Sequence, residues 1–133
     1  MNQHHTQLTF VAIASLVGAL ACADVDLADF EDDRMEAMDE TTKAIDAVIA
    51  GRDPTIAPYD IDALLLDLKW TEQYFANKGN APDAVQHAQT AQKSAAALGD
   101  ALTQKDYDAA FLEFRALKRS CRNCHDVYKP PSL

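Results

Sequence analysis

An all-α fold, an antiparallel four-helix bundle with up-down-up-down topology, is predicted for residues 24–133 of this 133-residue chain. Four segments carry apolar side chains at the three- and four-residue steps that place them on one face of a helix. Three breaks, "GRDPTIAPYD", "NKGNAP" and "QKD", separate the segments, and no window alternates for long enough to predict a strand. Four helices of similar length with short connections are typical of an antiparallel bundle around one core.

The first two segments have recognisable helix boundaries. Segment A, residues 27–50, is predicted as a helix that stops at Gly51 and the two prolines that follow, which forbid its continuation. Segment B, residues 60–76, begins at Asp60, whose side chain can cap the first turn, and carries a leucine-rich face. Both segments are therefore expected to turn one apolar side toward the core.

The last two segments differ in the size of their inward side chains. Segment C, residues 83–103, is rich in alanine, so we expect a neighbouring backbone to approach it closely. Segment D, residues 106–129, is predicted to turn a stripe of apolar and chemically active side chains toward the core. The stripe consists of Tyr107, Phe111, Phe114, Leu117, Cys121, His125 and Tyr128.

The beginning of the chain is predicted to be removed from this domain. Residues 1–23 hold an uncharged apolar run that is short for a membrane span, and they end in the small residues Ala21, Cys22 and Ala23. This pattern predicts a secretory signal peptide that is cleaved after Ala23, and hence a periplasmic protein. The alternative is a lipidated Cys22, which would attach the protein to a membrane.

The charge of the predicted domain is strongly negative. The formal net charge of the chain is −9, and residues 1–23 contribute no Lys, Arg, Asp or Glu to it. A strongly acidic domain argues against nucleic acid and anionic membrane surfaces as partners, and it favours proteins with basic or mixed surfaces. Solubility alone is an equally good explanation of the charge.

A short motif near the end of segment D carries the chemistry. Cys121, Cys124 and His125 form a C-x-x-C-H motif, and no other cysteine is left once Cys22 is removed. Two thiols at this spacing can form thioether bonds to the vinyl groups of a haem, and the adjacent imidazole can bind the iron. The motif therefore predicts one covalently bound haem c with His125 as an iron ligand.

Other uses of a cysteine pair fit the sequence less well. A structural zinc site would need two further ligands, and His87, which is expected at the surface, is the only other histidine outside the signal peptide. A dithiol oxidoreductase would place the pair at a helix N-terminus after a strand, where the helix dipole lowers a thiol pKa. The pair instead lies near the end of a helix in an all-α chain.

A second iron ligand is expected from segment A. Met38 shares its face with the apolar residues of the segment, whereas Met35 lies among acidic residues, so Met38 is predicted to point inward. A thioether sulfur favours reduced iron, which suits electron transfer. A methionine that merely fills a gap in the core is the alternative.

These residues give the chain a resemblance to the class II c-type cytochromes, the cytochrome c′ family. The resemblance covers nearly all of residues 24–133 and is carried by "RMEAM" at residues 34–38 and "CRNCHDVYK" at residues 121–129. In that family the residue four after the arginine faces the distal side of the iron. A methionine there, as at Met38, resembles the six-coordinate, low-spin members that transfer electrons, whereas leucine or phenylalanine is typical of the five-coordinate, gas-binding ones.

The resemblance also implies roles for two basic residues. It places Arg34 near a haem propionate, with a surface ion pair to Glu31 or Asp32 as the alternative. It places Lys129 near the proximal imidazole, with a solvated lysine at the helix end as the alternative. Helices A and B often form a dimer interface in the family, so a second copy of the chain is a further candidate partner.

The function predicted from these observations is that of a periplasmic monohaem cytochrome c that carries one electron between larger redox proteins and is not an enzyme. If Met38 does not ligate the iron, the open distal site predicts a five-coordinate protein that binds NO or CO instead. Trp70 and Tyr74 are expected to lie in the core, with a haem contact or a dimer contact as alternatives.

Overall fold

The computed structural model describes residues 25–129 as four α-helices joined by short connections. The helices are α1 (Asp32–Gly51), α2 (Ile61–Lys78), α3 (Pro82–Thr103) and α4 (Tyr107–Tyr128). Each helix packs on the next one in sequence, and α4 closes the ring against α1. The predicted all-α, up-down-up-down four-helix bundle is confirmed.

The ends of the helices follow local signals in the sequence. Asp60 and Asp106 precede α2 and α4, and each side chain accepts a hydrogen bond from a backbone N–H in the first turn, at 2.9 and 3.0 Å. Gly79 ends α2 with φ +74°, a left-handed conformation that glycine adopts without strain, and its N–H donates to the carbonyl of Phe75. The predicted boundaries of segments B, C and D are therefore correct to within two residues.

Small side chains on α3 determine how the helices pack. Its buried residues are mostly alanine and serine: Ala84, Ala88, Ala91, Ser94, Ala95, Leu98, Ala101 and Leu102. The backbones of α2 and α4 approach α3 closely, as predicted. The backbone of α1 comes near those of α2 and α4 at only a few positions. It does not come near that of α3, which lies diagonally opposite. Ile45 and Val48 of α1 reach into the core across this wider gap, where both are fully buried.

The beginning of segment A is not helical, which corrects the prediction. Residues 25–31 precede α1 and form what we call the N-terminal strap, which lies against α2. The ring of Phe30 packs edge-on against Trp70 and Tyr74, with ring centroids 5.1 and 4.8 Å apart. These ring contacts hold Phe30 against α2, and α1 begins two residues later, at Asp32.

Polar contacts fix the same strap to α2. The carboxylate of Asp29 accepts hydrogen bonds from the hydroxyl of Tyr74 at 2.7 Å and from the ammonium group of Lys78 at 2.6 Å. The bond from Lys78, supported by the one from Tyr74, lowers the pKa of Asp29. Trp70 and Tyr74 are half-buried in the contact with this strap, where the sequence predicted core positions.

The inward face of α4 is also rotated relative to the predicted stripe. Ala110, Phe114, Leu117 and Ser120 are its buried residues, whereas Phe111 is 47% exposed. α4 packs most closely on α3, and the hydroxyl of Ser120 donates a hydrogen bond to the backbone carbonyl of His87 there. Phe111 is left facing solvent.

Residues 1–24 and 130–133 lie outside the described part of the chain, and with them lie the predicted signal peptide and Cys22. Within residues 25–129, none of the helices combines the length and the apolar character that a membrane span requires.

Leu98 of α3 offers a test of this core, because it is fully buried whereas Leu66 of α2 is 65% exposed. We expect Leu98→Ala to lower the free energy of unfolding by about 2–5 kcal/mol, since it leaves a cavity in the core. The matched control Leu66→Ala should change it by less than about 0.5 kcal/mol. Urea unfolding followed by circular dichroism measures both, and equal effects would contradict the described packing.

Candidate cofactor site

A cavity opens where α1 stands away from the other three helices. Its empty volume is about 640 Å³, including the part that opens to solvent, and all four helices contribute to its wall. The apolar part of the wall consists of Met35, Met38, Leu64, Leu68, Ala88, Ala91 and Leu117. The other residues that line it are Asp39, Thr42, Thr71, His87, Ser120, Cys121, Cys124 and His125. The site is thus a largely apolar space with a few chemically active groups.

Both methionines of α1 line this cavity. Met38 is 8% exposed and belongs to the main core cluster, as its helical phase predicted. Met35, which was expected to lie on the acidic outer side, is half-buried and packs against the same cluster. Because α1 lies at a distance from its neighbours, the cavity extends around α1 as far as the side of the helix that carries Met35.

The C-x-x-C-H motif faces the same space from the last turns of α4. Cys121 and Cys124 are half-buried free thiols, and His125 lies at the solvent side of the cavity, where the residue as a whole is exposed. Four of the predicted site residues, Met38 and the three of the motif, therefore line one cavity from two different helices.

The thiols are in an environment that keeps them protonated. Burial raises the pKa of Cys121, and it raises the pKa of Cys124 to about 11, with the nearby Cys121 and the charge of Asp83 adding to the effect. A dithiol that exchanges disulfides needs the opposite shift, because the thiolate is the nucleophile. The raised pKa values therefore weigh against a redox-active pair.

The imidazole of His125 favours its neutral form. Partial removal of the ring from water lowers its pKa, and the positive charge of Lys129 lowers it further. The carboxylates of Asp126 and Asp39 act in the opposite direction. A neutral imidazole has the lone pair that binding to a metal ion requires.

His87 also lines the cavity, although the sequence analysis expected it at the surface. It is half-buried on α3, and its backbone carbonyl accepts a 2.7 Å hydrogen bond from the hydroxyl of Ser120. The signal was present in the sequence, because His87 precedes the buried residues Ala91, Ser94 and Leu98 at steps of four, three and four. The Ser120 bond satisfies a buried hydroxyl and joins α4 to α3 beside the motif.

Arg34 is the one predicted site residue that does not line the cavity. Its guanidinium donates to Glu31 at 2.6 Å and to Asp67 of α2 at 2.7 Å, and it lies 4.9 Å from the ring centroid of Trp70. The hydrogen bonds to Glu31 and then Asp67 raise the pKa of Arg34. Its role beside a haem propionate stays a prediction.

The donor groups around the cavity are those that a c-type haem needs. Two free thiols can hold it covalently, and an imidazole and a thioether sulfur are available for the iron. Residues 25–129 contain no cluster of three or more His, Cys, Asp or Glu side chains placed to bind a metal ion by themselves.

Comparisons with protein-family models, with curated proteins and with solved structures found no match to this chain. The resemblance to the cytochrome c′ family therefore rests on the motif residues and on their order along the chain.

The raised pKa of Cys124 predicts slow alkylation in the folded chain prepared without any cofactor. A shift from 9.0 to about 11 lowers the thiolate fraction at pH 8 about a hundredfold. We expect iodoacetamide to label Cys124 slower than in the urea-unfolded chain by a similar factor, as measured by peptide mass mapping. Equal rates in the two states would contradict the described environment.

Proposed function

We propose that this chain is a periplasmic monohaem c-type cytochrome that carries one electron at a time between larger redox proteins. One observation carries the proposal: Met38 of α1 and the C-x-x-C-H motif of α4 line a single, largely apolar cavity. Residues separated by more than eighty positions in sequence supply the donors that haem attachment and ligation require. The chain acts as a carrier, and we assign it no catalytic residue.

The residues of α4 would fix the cofactor. Cys121 and Cys124 would hold it through thioether bonds, and His125 would bind the iron as the proximal ligand. Because the motif lies on the same helix as the buried Leu117 and Ser120, its geometry is set by the tightly packed side of the bundle. When bound, the haem supplies the one-electron couple of its iron.

The residues of α1 would tune that couple. Met38 would be the distal ligand, and a thioether stabilises the reduced state, which raises the reduction potential. The leucine and alanine side chains around it exclude water, which further favours the less charged state of a buried redox group. Residues 1–23 would direct export to the periplasm, the compartment in which c-type haem is attached.

The presence of haem is tested by expression in a host that matures c-type cytochromes. We expect a red protein that keeps its haem after acid extraction, and a variant with Ser in place of both Cys121 and Cys124 that loses it. The reduced wild type should show the sharp, split visible bands of six-coordinate, low-spin iron. A colourless wild-type protein from such a host would refute the proposal.

The distal ligand is tested by exchanging each methionine for a residue of similar volume. We expect Met38→Leu to give a high-spin spectrum and to create CO binding, because leucine has no sulfur atom that could bind the iron. Met35→Leu is the matched control on the same cavity wall and should leave the low-spin spectrum unchanged. The reverse result would assign the ligand to Met35, and a high-spin wild type that binds CO would favour the gas-binding alternative.

A further inference from the structure

The flank of α4 that leads to the motif is positively charged, in a chain whose formal net charge is −9. Arg115, Lys118, Arg119 and Arg122 are all exposed, and we call them the cationic face. Steps of three, four and three residues lead from Arg115 through Lys118 and Arg122 to His125, so these side chains follow one line along the helix. At 1.5 Å per residue this line is about 15 Å long.

The charges of this face are not neutralised within the described residues. Arg34, Lys43, Arg52 and Lys78 each form an ion pair, whereas no ion pair involves any residue of the cationic face. Asp46 of α1 is the one acidic residue in the groove that these four cations line. The face therefore keeps an excess of positive charge directed at solvent.

The same flank presents aromatic surface. Phe111 is 47% exposed, and the guanidinium carbon of Arg115 lies 5.7 Å from its ring centroid. Lys118 lies 5.3 Å from the ring centroid of the buried Phe114. Exposed aromatic surface bordered by arginine is the composition that protein interfaces favour over the rest of a protein surface.

We propose that the cationic face of α4 is the surface through which this chain docks a partner protein with an acidic patch. Its role in electron transfer rests on the proposed function, because the face ends at His125, where the haem would be attached. The net charge alone predicts a partner with a basic or mixed surface, whereas this face would bind the acidic part of a mixed surface. The negative net charge of the rest of the chain disfavours an acidic partner there. Attraction and repulsion together would orient the partner toward this end of α4.

Charge complementarity selects a protein over the other acidic surfaces that such a face could meet. A flat anionic membrane would also bring acidic residues around the face toward negative lipid, among them Asp46 in the groove and Asp126, one turn beyond Arg122. A second copy of the chain would have to offer an acidic patch while the net charges of the two copies repel each other. An acidic patch of limited area on another protein avoids both costs.

Binding is tested with a labelled oligoglutamate peptide and the full chain at low salt. We expect Arg115→Gln/Arg119→Gln to weaken binding about fivefold, the effect of losing two exposed charge contacts. The control Lys69→Gln/Lys93→Gln removes the same net charge from exposed positions on α2 and α3 and should change binding by less than about twofold. No binding by the wild type, or equal weakening by the two pairs, would overturn the inference.

Two further measurements test whether a membrane or a second copy of the chain binds the cationic face instead. Anionic phosphatidylglycerol vesicles should bind the wild type no better than neutral phosphatidylcholine vesicles, and sedimentation should show no self-association that the Arg115→Gln/Arg119→Gln pair removes. Preferential binding to the anionic vesicles, or self-association through this face, would assign the face to a membrane or to a second copy and overturn the inference.

The link to electron transfer is tested on the haem-containing protein with hexacyanoferrate(III), an anionic oxidant, in stopped-flow experiments. If the charge of the cationic face governs the approach of the oxidant, the oxidation rate falls as salt is added. The Arg115→Gln/Arg119→Gln variant is then oxidised more slowly than the wild type at low salt. If the net charge governs, the rate rises with salt, which contradicts docking at this face. A colourless protein would refute the proposed function but leave the peptide measurement as the test of docking.

Discussion

Close packing around the small side chains of α3 is the constraint on which the rest of the bundle depends. Where alanine and serine face α2 and α4, the backbones meet and little space is left between them. The longer side chains of α1 cannot pack in this way, so α1 lies further out and closes the ring through Ile45 and Val48. The cavity is the space that this unequal packing leaves along one side of α1.

The closely packed and the loosely packed halves of the bundle also carry different parts of the cavity wall. The tightly packed half of the bundle carries the C-x-x-C-H motif on α4, whose position is fixed by α3 and by the bond from the hydroxyl of Ser120 to the carbonyl of His87. The looser half carries the methionines on a helix that approaches its neighbours at few points. One wall of the cavity is therefore formed by closely packed backbones, whereas the α1 wall contacts the core through longer side chains such as Ile45 and Val48.

Most of the helices could be predicted because their signals are local. Asp60, Gly79 and Asp106 set helix ends through hydrogen bonds or dihedral angles that involve only near neighbours. The C-x-x-C-H motif likewise depends on adjacent residues, and the inward position of Met38 follows from the period of its own helix.

The features that the sequence did not reveal depend on packing between distant segments. The exposed position of Phe111 reflects the rotation of α4 on α3, and the position of Met35 in the cavity wall reflects the distance of α1 from its neighbours. The ion pair between Arg34 and Asp67 joins residues 33 positions apart, and the contact between Phe30 and Trp70 replaces the predicted first turn of segment A. Such contacts depend on how the helices pack together, and they produce no periodic pattern in the sequence.

The pairing of Arg34 has a consequence for helix fraying. Glu31, at the N-cap of α1, makes no side-chain bond to the backbone, so the first turn lacks the usual protection against unwinding. The bonds from Arg34 to Glu31 and Asp67 hold this turn in place, and Met38 lies one turn further along, about 6 Å away. Salt screens the more exposed pair to Glu31 more strongly than the half-buried pair to Asp67, so the bond that ties α1 to α2 should persist at ionic strengths that weaken the pair within the first turn.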